Sequence, residues 1–294
     1  MDYKKKAINK RRRVDIKLLL FIAPSLLGMS IFYFIPFFSS MRHALFENGR
    51  GMVFIGLQNF VDIFGNPVFI QALRDTFVFL AICVPLNVVV SFLLASGIQN
   101  VSKGKIFFAM AIAFPLVIPS GTVVYFWRKL FSIEGFLNSF LLLFGHMPRN
   151  WFESAYALPI AIFVFLWKNL GFNTIIYSAG FSLIPVEYYE TAKVYGANRI
   201  QTFRHVTFIY LMPTTFLVLL MSIINSFKNF REVYMLFGLI PPRGIYMLQH
   251  FITAQFIHLN LPALTVSAAV FAAAIIALSL NLFMIQKRLS GLIS

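Results

Sequence analysis

The feature that most constrains this chain is a series of six long apolar stretches, each about long enough to cross a lipid bilayer. A membrane-spanning helix needs about 20 apolar residues, because the hydrocarbon core offers no water to the backbone. Five stretches contain no charged residue, and the fourth contains only Lys168. The predicted spans cover residues 18–38, 76–98, 106–127, 155–179, 206–227 and 264–285.

Composition supports a protein whose main solvent is lipid. Of the 294 residues, 59% are hydrophobic and 12% are charged, whereas soluble domains carry about 25% charged residues. This excludes an ordinary soluble enzyme and a disordered chain. No stretch alternates with a period of two, so we predict an all-α membrane protein rather than a β-barrel. The single cysteine, Cys83, cannot form an internal disulfide and lies in an apolar run.

The distribution of basic residues predicts the orientation. The net charge of +15 would suggest a nucleic-acid partner in a soluble protein, but here the charges lie mostly outside the spans and no nucleic acid is expected. If the N-terminus is cytoplasmic, the segments on that side contain more lysine and arginine than the segments on the other side. This predicts that both termini are cytoplasmic. We expect a basic tail over 1–17, a transmembrane domain over 18–286 and a tail over 287–294. The first apolar run is too long for a signal peptide and lacks a small-residue cleavage site, so we interpret it as an uncleaved helix.

The connection between the fourth and fifth spans predicts a short cytoplasmic helix over about 186–197. Pro185 suits the start of a helix, and Glu187 and Glu190 fall where the helix dipole favours anions. Gly196 suits a C-terminal stop. An amphipathic linker resting on lipid headgroups is one interpretation. An anionic leaflet would repel the two carboxylates. This favours the other interpretation, in which the helix is a docking surface for a protein.

At this connection the sequence resembles the transmembrane permease subunit of bacterial binding-protein-dependent ABC importers. That family has a cytoplasmic pattern of the form E-A-A-x3-G-x9-I-x-L-P. Here Glu190-Thr191-Ala192 is followed after three residues by Gly196 and after nine more by Val206-Thr207-Phe208-Ile209. The glutamate, the second alanine and the glycine match. The departures are Thr191, Val206, Phe208 and Ile209, while a later proline usual in carbohydrate permeases is present as Pro213.

Other segments resemble the carbohydrate-importing branch of the same family. The run Phe54-Ile55-Gly56-Leu57-Gln58-Asn59-Phe60 resembles its F-x-G-L-x-N-F/Y motif. Trp167-Lys168-Asn169-Leu170-Gly171-Phe172 resembles a stretch that precedes the docking segment. The resemblance implies a six-helix ABC importer permease bundle with a cytoplasmic coupling helix, in the bacterial inner membrane.

The resemblance also implies partners and roles. The partners would be a second homologous permease in a heterodimer, two ATPase subunits that bind ATP and Mg, an extracytoplasmic binding protein and a carbohydrate substrate. This chain would bind no cofactor itself, and it contains no G-x4-G-K-[ST] loop for ATP. The implied ATPase-docking residues are Glu187, Tyr188, Tyr189, Glu190, Thr191, Ala192 and Gly196.

Polar residues within the spans are candidates for the substrate pathway, because sugars bind amides, hydroxyls and aromatic faces. The candidates are Lys168, Asn169, Asn173, Tyr177 and Asn225, and more widely Asn87, Tyr125 and Asn281. Helix packing is the alternative for each amide. Lys168 could face a cavity or reach to an interface. The scattered histidines predict no metal site.

Three other functions remain open. The same architecture could import a non-sugar or anionic solute such as a glycerol phosphate or an acidic oligosaccharide, since external arginines suit anions. A secondary transporter would be expected to show internal repeats and buried ionisable relays. A membrane enzyme would need a nucleophile–base pair or metal cluster, which the loops do not contain.

Overall fold

The computed structural model describes residues 16–47, 53–101 and 103–290, and these residues are predominantly helical. Residues 1–15 of the predicted basic tail and residues 291–294 of the predicted C-terminal tail lie outside this part. Extended pairing in the described part is limited to an isolated bridge between Phe46 and Phe54. The α-helices are α1 Ile16–Met29, α2 Ile35–Met41, α3 Gln58–Gly65, α4 Pro67–Asn100, α5 Lys105–Val117, α6 Ser120–Leu130, α7 Phe136–Leu143, α8 Ser154–Ser182, α9 Val186–Val194, α10 Arg199–Thr202, α11 Phe208–Lys228, α12 Phe230–Phe237, α13 Leu248–Ile257 and α14 Leu261–Ser290.

Within the described residues, five helical stretches are long and apolar enough to cross a membrane, and a bent pair of helices makes a sixth. The five are Leu20–Ala44, Pro67–Asn100, Ala155–Ser182, Arg199–Phe237 and Leu261–Arg288. Each corresponds to a predicted span, although several extend well beyond the predicted limits. The all-α membrane class is therefore confirmed, while the cytoplasmic placement of both termini stays a prediction.

The third predicted span, 106–127, is not one continuous helix. It consists of α5 and α6, whose axes differ by 95° across a short break. Ile118 and Pro119 both have extended backbone angles there. A proline disfavours the helical conformation of the residue before it and cannot donate a backbone hydrogen bond. A proline in a helix usually produces a kink, but the turn here is nearly a right angle.

The centre of the bundle is formed where α4, α8 and α11 pack together. A buried polar cluster joins the three helices, because the Ser222 hydroxyl accepts hydrogen bonds from the amides of Asn87 (3.4 Å) and Asn173 (2.9 Å). Small residues permit close approach at two further contacts. Gly171 of α8 lies against the backbone of α5, and Gly180 lies against Thr214 of α11.

Replacing Gly171 with alanine is expected to destabilise the bundle by about 1–3 kcal/mol, the usual effect of overpacking. A Cβ at this position would lie 2.8 Å from the Ala113 Cα, so the two helix backbones would have to separate. Thermal unfolding of the purified chain in detergent measures the effect. Gly97→Ala is the matched control, because a Cβ there meets open space and removes backbone freedom from the unfolded state. Equal stability of the two variants would contradict the prediction.

The segment after α12 folds back on the end of the bundle opposite α9. Helix α13 lies in this segment, and its residues Leu248, His250 and Phe251 are buried. The Leu248 N–H donates to the Thr76 hydroxyl at 2.8 Å, and the Gly244 N–H donates to the Asp75 carboxylate at 3.1 Å. The segment is thus held to α4 by specific hydrogen bonds.

His250 makes the stability of this segment dependent on pH. Its Nδ1 accepts the Met247 N–H at 3.1 Å, and no described residue pairs with its Nε2. Burial lowers the pKa of His250 to about 4, from an ordinary value near 6.5. The unfolded chain therefore takes up a proton at higher pH than the folded chain. Stability is full above pH 6.5 and is lost as the pH falls towards 4.

We expect the stability attributable to His250 to fall by on the order of 2–3 kcal/mol between pH 7.5 and pH 4, because each pKa unit corresponds to about 1.4 kcal/mol. Thermal unfolding of the purified chain across this pH range measures it. His250→Gln should flatten the profile, whereas His258→Gln, at an exposed position, should leave the slope unchanged. Parallel profiles for the wild type and His250→Gln would show that the residue does not contribute.

Candidate functional site

The predicted cytoplasmic helix between the fourth and fifth spans is present as α9. Pro185 precedes it with extended backbone angles, φ −59° and ψ 136°. At the other end Gly196 adopts φ +73°, a conformation that suits glycine. The N–H groups of Gly196 and Ala197 donate to the carbonyls of Lys193 (3.0 Å) and Ala192 (2.9 Å), which closes the helix in a Schellman motif. The helix therefore ends at Val194, three residues before the predicted boundary.

One face of α9 holds it against the rest of the chain. Tyr189 and Ala192 are half-buried against a small apolar cluster, and the Tyr189 hydroxyl lies 3.1 Å from the Thr207 hydroxyl. The ring of Tyr188 lies 4.8 Å from that of Tyr210. The buried members of the cluster are Ile184, Val206 and Leu211. In this structure Tyr189 and Ala192 anchor α9, and their implied docking roles stay predictions.

The opposite face of α9 is an exposed outward stripe made of Glu187, Glu190, Thr191 and Val194. These positions are spaced by three or four residues and so share one side of the helix. Within the described residues neither glutamate has a hydrogen-bond or ion-pair partner. Tyr195 is 85% exposed because it lies just beyond the last turn of α9.

Helix α9 is followed by a long helical rod, which runs over Arg199–Phe237 and comprises α10, a π-helical turn, α11 and α12. A capping box starts the rod: the Gln201 N–H donates to the Asn198 side chain, and the Asn198 N–H donates to the Gln201 side chain, both at 2.9 Å. The rod has 39 residues and is roughly 60 Å long at 1.5 Å per residue. It links the α9 end of the molecule to the opposite end of the bundle.

A polar pocket of about 330 Å³ lies between this rod and α8. On the α8 side it is lined by Lys168, Asn169 and Phe172. The rod contributes Met221, Asn225, Lys228, Asn229, Arg231 and Glu232. Most of the rod residues are spaced by three or four, which places them along one helix face. The start of the rod packs against α9 through Thr207 and Leu211, and the far part of the same rod lines the polar pocket.

Two of the residues that line the pocket, Lys168 and Glu232, form an ion pair. Lys168 is the central residue of α8, and its ammonium donates to the Glu232 carboxylate and the Ser120 hydroxyl. Ser120 donates to Glu232 at 2.7 Å and accepts from Arg231 at 2.8 Å. The Glu232 side chain is only 4% exposed. Lys168 thus meets a buried partner and does not extend towards an interface.

The five predicted pathway residues occupy two different environments. Lys168, Asn169 and Asn225 line the pocket. Asn173 and Tyr177 are fully buried at helix contacts, where Asn173 donates to Ser222 and Tyr177 packs edge-on against Phe92. In this conformation neither of these two side chains lines the pocket, and their assignment to the pathway stays a prediction.

Several pocket residues were missed by the sequence analysis. Glu232, Lys228 and Asn229 lie beyond the predicted end of the fifth span, although they continue the helical spacing of Met221 and Asn225. Extending the helix face of Met221 and Asn225 by two turns identifies all three residues. Ser120 carried no comparable signal, because it reaches Glu232 only after the 95° turn between α5 and α6.

Comparison with protein families gives a match over most of the chain. The family is described as the binding-protein-dependent transport system inner membrane component, and its profile matches residues 64–290. These residues include α9, the rod and every residue that lines the polar pocket.

Individual relatives are similar over similar lengths. The Probable ABC transporter permease protein YurN of Bacillus subtilis (strain 168) is 30% identical over 79% of this chain and 82% of its own length. The lactose transport system permease protein LacF of Rhizobium radiobacter is 31% identical over 76% of this chain and 77% of its own length.

A solved structure shares the fold. A chain in the crystal structure of a bacterial ABC transporter involved in the import of the acidic polysaccharide alginate aligns with a TM-score of 0.80. The alignment covers 96% of this chain and 99% of that chain at 22% sequence identity. At that identity the match shows a common architecture.

Proposed function

Because the chain belongs to the family of binding-protein-dependent transport system inner membrane components, we propose that it forms half of the translocation pathway for a sugar or oligosaccharide. The chain is a multi-pass permease of an ABC importer in the bacterial inner membrane. The name of the lactose permease relative supports a carbohydrate substrate. The importer would also need a second permease subunit, two ATPases and an extracytoplasmic binding protein that delivers the substrate.

The observation that carries this proposal is the continuity between α9 and the polar pocket. The two glutamates of the outward stripe have no partner in the described chain. Val194 of the stripe and the neighbouring Tyr195 are exposed apolar and aromatic residues. Exposed apolar and aromatic side chains beside unpaired charges are characteristic of a protein-binding surface. The rod that follows α9 carries the lining residues from Met221 to Glu232. A displacement of α9 would therefore reach the pocket through one helical element.

The proposed mechanism follows from this connection. The ATPase subunits bind ATP and Mg and dock on the outward stripes of the two permease chains, where Glu190 pairs with a basic residue of the ATPase. When the two ATPases close, they draw α9 of this chain and the equivalent helix of the second permease together. Tyr189 and Ala192 transmit the movement to the apolar cluster and the rod. The rod then tilts against α8, and the polar pocket opens alternately to the two sides of the membrane.

Co-purification tests the proposed assembly. An affinity tag on this chain, expressed with the neighbouring genes of its own genome, should recover an ATPase and a second permease after extraction in mild detergent. ATPase activity should rise when the binding protein and its solute are added. Recovery of this chain as a monomer, or as a homodimer with no ATPase, would overturn the proposal. Thermal-shift screening of the binding protein against carbohydrates would identify the solute.

A further inference from the structure

The charges around the polar pocket do not balance within this chain. Lys168, Lys228 and Arg231 contribute three cations to its lining, and Glu232 contributes the only carboxylate. Lys168 is paired with Glu232, and the Arg231 guanidinium lies 3.8 Å from the same carboxylate oxygen. Lys228 has no ion-pair partner anywhere in the described residues. The pocket therefore has a positive excess after its internal pairing is complete.

The pocket also contains unused hydrogen-bonding groups. Asn229 is 3% exposed, and neither its amide nitrogen nor its amide oxygen has a partner among the described residues. Buried amides are normally paired, so an amide with both groups free at the wall of a cavity can bind a water molecule or a polar ligand that enters the cavity. Asn225 lines the same pocket one helical turn earlier. Asparagine amides both donate to and accept from hydroxyl groups.

These two features together specify the chemistry of a ligand. Lysine and arginine bind carboxylate or phosphate oxygens by charge-assisted hydrogen bonds. Two cations in excess of the one carboxylate make the potential in the pocket positive, which favours an anionic ligand there. The amides of Asn225 and Asn229 add binding capacity for hydroxyl groups on the same ligand.

Resting on the proposed function, we infer that the polar pocket binds an acidic carbohydrate, which is a hydroxylated solute that carries a carboxylate or a phosphate. Lys228 and Arg231 bind the anionic group, and Asn225 and Asn229 bind hydroxyls. Lys168 is paired with Glu232 and therefore does not bind the anion. A neutral sugar would leave Lys228 without a counter-charge.

Uptake by the complete importer tests the inference. The importer is reconstituted in vesicles with its own second permease, ATPases and binding protein. The probes are matched pairs: digalacturonate with galactobiose, glucose 6-phosphate with glucose, and glycerol 3-phosphate with glycerol. We expect ATP-dependent uptake of an acidic probe at least about tenfold faster than uptake of its neutral counterpart. The uronate and phosphate pairs separate the two possible sources of the anionic charge.

Variants assign the effect to the pocket. Lys228→Gln and Arg231→Gln should each reduce uptake of the acidic probe about tenfold or more, while Lys228→Arg should retain most of it. Lys129→Gln, at an exposed position away from the pocket, is the control and should transport normally. The second permease and the ATPases should co-purify with every variant to the same extent.

The outcomes distinguish this inference from the proposed function. If only neutral probes are taken up, and Lys228→Gln and Arg231→Gln do not change that uptake, the inference of an acidic ligand is overturned. The proposed importer function is not affected by this result. Loss of co-purification in these two variants also overturns the inference, because the cations would then serve contact between subunits. Failure of the wild-type chain to assemble with an ATPase, or to support ATP-dependent uptake of any probe, overturns both.

Discussion

Replacing Glu190 with lysine is expected to reduce ATP-driven uptake by the assembled importer by about 30-fold or more. Glu190 is exposed in the outward stripe and is unpaired in the described chain. In the proposed assembly it meets a basic residue of the ATPase, so lysine would replace attraction by repulsion. Loss of one partner of a buried interfacial charge pair costs about 2–5 kcal/mol, and each 1.4 kcal/mol corresponds to about tenfold in binding.

The measurement is the amount of ATPase that co-purifies with the chain, together with substrate-stimulated ATP hydrolysis. Glu134→Lys is the matched control, because Glu134 is also exposed but lies in the loop between α6 and α7. Both variants should have the same thermal stability, since neither glutamate supports the fold. Full uptake and full ATPase recovery with Glu190→Lys would show that α9 does not couple the two activities.

Replacing Glu232 with glutamine is expected to lower the stability of the bundle by about 3–5 kcal/mol, the typical cost of removing one partner from a buried ion pair. The variant leaves the Lys168 ammonium at the centre of α8 without a carboxylate. For a chain of this size the change corresponds to roughly 6–20 °C in apparent Tm. Thermal unfolding in detergent, followed by loss of monodisperse protein, measures it.

The double variant Lys168→Met with Glu232→Leu separates the effect of an unpaired buried charge on stability from the effect of side-chain packing. It removes both ions, so most of the stability lost in Glu232→Gln should return, as happens when buried ion pairs are replaced by apolar residues. Lys168→Met alone should be as unstable as Glu232→Gln, because it leaves Glu232 buried without its main partner. A double variant less stable than either single variant would contradict a direct pairing.

The two pairs of variants act at the two ends of the path from α9 to the polar pocket: Glu190 lies in α9, and Glu232 lies near the end of the rod. Glu190→Lys acts at the α9 end and should leave stability unchanged while it abolishes coupling. Glu232→Gln acts near the other end of the rod and should lower stability even in the isolated chain. The comparison therefore tests whether α9 and the polar pocket communicate through the rod or contribute independently.

The α9 region shows how far local sequence can predict a site. Pro185, the two glutamates and Gly196 predict the start, the exposed face and the end of the helix, because caps and the helix dipole act within a few residues. Which residues face inward depends on the cluster of Ile184, Val206 and Leu211. Those residues come from both sides of α9 in the chain, so local periodicity alone did not separate Tyr189 from the outward stripe.

The residues that line the polar pocket could be predicted only in part from the sequence. Lys168 was conspicuous as the only charge in a predicted span, and its cost in a membrane predicted that it faces a cavity or reaches to an interface. Its actual partner is 64 residues away in the sequence. Asn173 and Asn169 are similar in type and lie four residues apart, yet one is buried at a helix contact and the other lines the pocket. Because residues four apart share a helix face, the difference lies in their level along α8: Asn173 meets Ser222 at a closed helix contact, and Asn169 lies where the pocket opens.

The sequence by itself determined the membrane class, the positions of the spans and the capped helix between the fourth and fifth of them. These depend on hydrophobic length and on caps, which are local properties of the chain. The tertiary structure alone decided that the third span turns by 95°, that Ser120 and Glu232 meet Lys168, and that one rod joins α9 to the pocket. These depend on how separate helices pack, because each contact joins residues that are distant in the chain and whose facing surfaces are set by all the helices together.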